Sequence, residues 1–392
     1  MCPIVNPSVE DRRSGLQSAL RYHTGALRRV FFFLLCLVSF AQTPLGDAVS
    51  LARAGRYREA RVKLAGVPEP QTLPQRIAFH RLKAAVASGL GESATAADEM
   101  QTALRLAPSD PALLVGTAVA EEGAGHWDAS FSLAQRAGEN ATAKAVIGDI
   151  QEKRGRFNEA VDAYGQAVAL DPGREQYRVA LGLEWMEHGA FDQAIEVLRQ
   201  SSPLFPKSGV LRTLLAIAVY ARGEAKESEQ ILNDAITADP NYSPAYRCLS
   251  KIVLESSAAP SEETLQALCR WDKIVCSALQ LRVARESNNA KLRDQAIEVL
   301  TRAPQTDAVS RCALGQAYEW SNQLAKARAA TEACVALNPS PQSHYRLGLL
   351  YKRLGETASA QKQFAAREEL LGKMSEETAV ALGALQFIPS KR

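Results

Sequence analysis

The residue types that most often carry catalysis are sparse here and poorly spaced. Five histidines, His23, His80, His126, His188 and His344, are scattered along 392 residues, and none stands at a metal-ligand distance from another. One CxxxxxxC pair, Cys269 and Cys276, could offer two thiolates to a soft metal. No second pair accompanies it to complete a tetrahedral site, so neither a metal nor a cofactor is expected. A GxSxG nucleophile elbow and a phosphate-cradling Walker loop are both missing. Most acidic residues fall on polar helix faces and read as solvated surface. The chain therefore reads as non-catalytic. The alternative is an enzyme, or a subunit of one, whose site lies between helices and leaves no motif.

The elements that would position any site follow a fixed period. Ala160, Ala194 and Ser228 stand 34 residues apart, and so do Pro172, Pro206 and Pro240. Gly148, Gly182 and Ala216 keep the same step, as do the turn glycines Gly155, Gly189 and Gly223. A period of this size is the mark of a stacked repeat. Within one period two helices are legible. Residues 175–188 form an apolar run that Gly189 breaks, and in 190–205 Ala194, Ile195, Val197 and Leu198 recur at three- and four-residue steps. Pro206 stops the second helix, because it lacks the N–H the ladder needs. The small residues let two helices approach, and Tyr164, Leu198 and Leu232 fill the space beyond. One hairpin cannot bury both faces, so each needs a neighbour.

These columns resemble the tetratricopeptide repeat family. Gly148, Gly155, Ala160, Tyr164, Ala167 and Pro172 match one repeat; Gly182, Trp185, Gly189, Ala194 and Pro206 match the next. Gly315, Tyr318, Ala327 and Pro339, then Gly348, Tyr351, Gly355, Ala360 and Phe364, match two more near the C-terminus. The resemblance implies an all-α, right-handed superhelix of about ten antiparallel hairpins, and it says little about function, because such scaffolds host many partners. Residues 78–108 and 112–137 fit less well, and 46–64 reads as a hairpin turning at Gly55. Residues 243–307 start in phase, but Pro260 interrupts them and Ser261 is a helix-cap candidate. The expected organisation is a leader (1–41), an N-terminal array (42–254), a degenerate stretch (255–307), C-terminal repeats (308–374), and a capping helix with a tail (375–392).

The leader has the order of a secretory signal: Arg28 and Arg29, then 11 apolar residues from Val30 to Phe40, then the small residues Ser39 and Ala41 around a cleavage point. Cleavage after Ala41 would send the chain to the periplasm or outside the cell. An uncleaved membrane anchor at 28–41 is the alternative. The leader holds five basic and two acidic residues, which leaves 41 of each in the remainder. A nucleic-acid reader needs a basic excess, and none remains. Five cysteines remain: Cys248, Cys269, Cys276, Cys312 and Cys334. The favoured reading is that all five are small buried packing residues. Cys269 and Cys276, seven residues apart on one expected helix, would lie about 10 Å apart, too far to bridge. Any bridge would join different helices, for example Cys248 with Cys276.

Resemblance to the family also implies that first helices line a concave groove. At the groove-facing steps stand Val179, Leu183 and Met186; then Thr213, Ile217 and Tyr220; then Arg247, Lys251 and Leu254; then Leu281 and Arg285. Some relatives clamp an acidic C-terminal peptide with lysines and asparagines, but Val179, Leu183, Thr213 and Ile217 occupy those places here. The expected partner is a protein or peptide segment with apolar anchors and an acidic flank. The competing reading packs the same residues between neighbouring hairpins.

Overall fold

A computed structural model of the chain describes residues 44–256 and 259–372. The leader and the capping helix expected at 375–387 lie outside the described residues. Those residues form twenty α-helices and no strand. None of these helices is long and apolar enough to cross a membrane.

The chain divides at Glu184 and Trp185 into two compact units. The N-terminal unit contains α1 (Pro44–Arg53), α2 (Tyr57–Ala65), α3 (Leu73–Leu90), α4 (Ser93–Leu106), α5 (Pro111–Gly123), α6 (Trp127–Arg136), α7 (Ala141–Lys153) and α8 (Phe157–Leu170), and ends within α9 (Glu175–Glu187). The C-terminal unit continues through α10 (Phe191–Ser201), α11 (Gly209–Ala221), α12 (Ala225–Ala238), α13 (Ser243–Glu255), α14 (Glu262–Trp271), α15 (Lys273–Glu286), α16 (Ala290–Thr301), α17 (Ala308–Trp320), α18 (Leu324–Leu337), α19 (Pro341–Arg353) and α20 (Thr357–Gly372).

Each hairpin is held as its small residues dictate. In α7 and α8 the ring of Tyr164 lies over Gly148, and Ala160, Ala163 and Ala167 are buried beside it. In α11 and α12, Ser228 takes the place of the usual alanine and donates its hydroxyl to the Ala216 carbonyl at 2.7 Å. Ser130 does the same to Ala118 across α5 and α6. Most turns use a left-handed glycine, such as Gly155 at φ 69°. Where glycine is missing, Asn288 (φ 51°) and Asn322 (φ 53°) adopt that conformation, which asparagine tolerates best among the other residues. They stand 34 residues apart, so the period is regular again from Asn288, whereas Gly223 and Asn288 are 65 residues apart, short of two full periods.

The sequence departs from the repeat at α14. Ser261 caps α14 as anticipated, accepting from the Thr264 N–H at 3.2 Å. Cys269 and Cys276, however, do not share a helix. α14 ends at Trp271, and the single extended residue Asp272 (φ −145°, ψ 119°) turns the chain and caps α15. The two Cα atoms are thereby 4.5 Å apart and the thiols form a disulfide. A second disulfide joins Cys312 of α17 to Cys334 of α18. Cys248, the suggested partner of Cys276, remains a buried thiol. The reading of all five as packing residues therefore holds for Cys248 alone.

Candidate functional site

The expected groove residues separate by burial. Met186, Thr213 and Ile217 are fully buried, and Leu183 and Leu281 nearly so. These five side chains pack against neighbouring residues. The reason is the apolar character of α9 and α11. In α11, ten of the thirteen residues are buried, so both sides of this first helix pack against neighbours. Val179, Tyr220, Lys251 and Leu254 are half-buried, and Arg247 and Arg285 are exposed.

Within the C-terminal unit the accessible members gather on consecutive first helices. The Tyr220 hydroxyl of α11 reaches Glu255 of α13 at 3.4 Å. Arg247, Lys251 and Leu254 lie on α13 at helical steps, with Leu254 packed on the core cluster of α15 and α17. Two cations that sequence reasoning missed join them. Arg282 of α15 donates to the carbonyls of Val253, at 2.5 Å, and Leu254, two of the terminal carbonyls that α13 leaves unbonded. Burial pushes the Arg282 guanidinium down to about 10, and the nearby Arg346 guanidinium of α19 adds to the shift. Arg282 stays charged at neutral pH. Arg282 could have been found from its position, one turn before Arg285; nothing in the sequence brings Arg346 to it.

Burial pushes the Cys248 thiol up to about 12, while Lys251 and Arg247 pull weakly the other way. It is neither a thiolate ligand nor a nucleophile at neutral pH. Burial raises the Glu255 carboxyl, against the charge of Lys251 and the hydrogen bond from Tyr220. This surface brings Arg247, Lys251, Arg282 and Arg285 near Tyr220, Leu254 and the Glu255 carboxyl.

In the N-terminal unit two histidines meet carboxylates. His80 Nδ1 is 2.6 Å from Glu99, which also pairs with Lys83. His126 Nδ1 is 2.6 Å from Glu121, and Glu121 accepts from Gln101 at 2.7 Å. A carboxylate that orients a histidine is part of a nucleophilic triad. Among the described residues no Ser, Thr or Cys is hydrogen-bonded to either ring. His126 lies in a shallow recess with Trp127, Asp128, Lys153 and Arg154.

Tetratricopeptide repeat family models match residues 186–252, 146–209 and 341–366. The small glutamine-rich tetratricopeptide repeat-containing protein 2 of Mycosarcoma maydis is 27% identical over 111 residues, which cover 28% of this chain and 29% of that protein. This chain thus spans less than a third of that relative's length. Among solved structures, YrrB, a tetratricopeptide-repeat protein with an unusual peptide-binding site, is 18% identical with a TM-score of 0.36, covering 50% of this chain and 97% of YrrB. The C-terminal part of a tetratricopeptide-repeat protein from Cytophaga hutchinsonii is 15% identical with a TM-score of 0.42, covering 77% of this chain and 99% of that one.

Proposed function

This chain is a tetratricopeptide-repeat protein, and we propose from that premise that it is an exported, non-catalytic scaffold gripping an acidic partner segment. The contact surface is the first-helix face of the C-terminal unit. Tyr220 and Leu254 supply apolar anchors, and Arg247, Lys251, Arg282, Arg285 and Arg346 supply positive charge. The partner segment is extended or helical, with one or two apolar side chains beside a run of Asp or Glu. The observation that carries this reading is the exposure of Arg247 and Arg285, with half-buried Lys251, Tyr220 and Leu254 on the same run of first helices.

Export is part of the proposal. It rests on the leader at 28–41 and on two disulfides, which persist in oxidising compartments and are rare in the cytosol. Cleavage after Ala41 releases the repeats; retention of the leader would hold them at a membrane.

The test uses labelled peptides carrying a Leu-Phe pair next to four glutamates or next to four lysines, titrated into the purified chain by fluorescence anisotropy. The acidic peptide should bind and weaken as salt rises, and the basic peptide should not bind. Equal binding of both, or none by the acidic peptide, would overturn the proposed chemistry.

A further inference from the structure

α14 is attached in an unusual way. Of its ten residues only Thr264 and Leu268 are buried, whereas the preceding second helix α12 buries Ser228, Leu232, Asn233, Ala235 and Ile236. Its N-terminal end is tied to α12 by polar contacts. The Thr264 hydroxyl donates to Glu229 at 2.6 Å, the Asn233 amide donates to Thr264 at 2.8 Å, and the Ser261 N–H reaches Glu229 at 3.2 Å. Its C-terminal end is held by buried Leu268, by Trp271 stacked on Tyr246 with centroids 5.7 Å apart, and by the bond from Cys269 to Cys276. Cys269 is half-buried and Cys276 is buried.

The other disulfide has a different setting. Cys312 and Cys334 join α17 and α18, which already share a close approach. A β-carbon on Gly315 would meet the Thr331 backbone at 3.3 Å, and Leu314, Ala317, Ala327 and Ala330 are buried there. That hairpin has this packing in addition to the bridge. α14 has little packing to fall back on.

We propose that the Cys269–Cys276 disulfide is a redox clasp on α14. A dithiol reductant opens it: two electrons and two protons pass to the S–S bond, which becomes two thiols, and the dithiol closes into its own disulfide. The C-terminal end of α14 then detaches and Trp271 leaves Tyr246, the neighbour of Arg247 on α13. Cys248 takes no part, since its buried thiol is held protonated, so opening depends on an external reductant. The clasp stands independently of the groove and of any partner.

Hydrogen exchange of the full chain with and without dithiothreitol tests this, with alkylation and mass measurement reporting each bond. Reduction should speed amide exchange in 262–271 by about tenfold or more, since local opening sets exchange. Exchange in 308–337 should stay within about twofold even though Cys312–Cys334 is also reduced. The double variant Cys269→Ser with Cys276→Ser should match the reduced protein at 262–271 and ignore the reductant there. Should that variant fail to fold, the wild-type comparison decides alone, with far-ultraviolet circular dichroism as the check on overall folding. Unchanged exchange at 262–271 overturns the clasp. So does equal loosening of both segments, or alkylation of Cys269 before any reductant is added.

Discussion

A β-carbon on Gly148 would lie 2.6 Å from Cε1 of Tyr164, so glycine and ring fit each other with no room to spare. The ring cannot move aside. Tyr164 is fully buried, and its hydroxyl lies 2.6 Å from Asp149 and 2.9 Å from Glu152. Burial, then the charges of both carboxylates, raises its phenol well above the usual range. Gly148→Ala should therefore destabilise the N-terminal unit by about 1–3 kcal/mol, although alanine is the better helix former. Gly348 meets Phe364 as closely, at 2.5 Å, but that ring is half-buried and has no hydroxyl to anchor it. Gly348→Ala should cost less. Urea unfolding of the two variants checks the order, and equal losses would defeat the argument.

The hairpin architecture was readable because one packing rule recurs. A small residue opposite a large one, repeated every 34 positions, needs no long-range knowledge. The left-handed turn at Asn288 was not readable, since asparagine signals a turn less firmly than glycine. The break at Asp272 was hidden because an aspartate capping the next helix also fits a helix interior. That error removed the Cys269–Cys276 bridge from view. The groove was only partly legible. Helical steps indicate which side a residue takes, but not how closely the next hairpin covers it. Thr213 and Ile217 are therefore buried, although they share the groove-facing steps of accessible Tyr220.

Arg282 has two separable duties. Its bonds to the Val253 and Leu254 carbonyls close the end of α13, and Arg282→Met leaves those acceptors unpaired. Losing them should cost about 1–3 kcal/mol in urea unfolding. Arg346→Gln keeps the bonds from Arg282 to the α13 carbonyls and should cost less than Arg282→Met. Both variants should weaken binding of the acidic peptide. If Arg346→Gln were the more destabilising of the two, the assignment of roles would be reversed.

Acid stability should depend on Glu332. It accepts from Arg328 at 2.8 Å and from the Tyr351 hydroxyl at 2.7 Å. Burial alone would raise its carboxyl, but the bonds from Tyr351 and Arg328 outweigh it and hold the group below the usual range. A folded value below the unfolded one contributes stability above the unfolded value, about 4.3, and loses it as pH falls through the folded value. Glu332→Gln should therefore flatten the loss of stability between about pH 5 and 3. The opposite end reports on Tyr351, whose phenol burial and Glu332 push up to about 12. There the unfolded chain loses its proton first, so stability falls between about pH 10 and 12, and Tyr351→Phe should reduce that slope, Tyr164 supplying part of the rest. Unaltered slopes in both variants would refute the linkage.

Export predicts a new N-terminus. Mass measurement of protein isolated from its native cells should show a chain that begins at or near Gln42, with Cys269–Cys276 and Cys312–Cys334 oxidised. An intact leader in a soluble cytoplasmic fraction, with free thiols at all four positions, would exclude that route.

The contact face should separate affinity from encounter. Apolar anchors lose their partner's burial when truncated, so Tyr220→Ala with Leu254→Ala should weaken the acidic peptide mainly through faster dissociation, by about 2 kcal/mol or more if they are hot spots. Charges at the rim act before contact is made. Arg247→Glu with Lys251→Glu should slow association most at low salt and approach wild-type rates as screening sets in. These four side chains are exposed or half-buried, so the variants keep their helicity and the comparison stays clean. Leu183→Asp would not serve, because it places a charge in the packed interior. Stopped-flow kinetics at two salt concentrations gives both rates. Association that responds to salt equally in the charge-reversed and wild-type chains would move the acidic flank away from α13, and an unchanged dissociation rate in the truncated pair would remove Tyr220 and Leu254 from the contact.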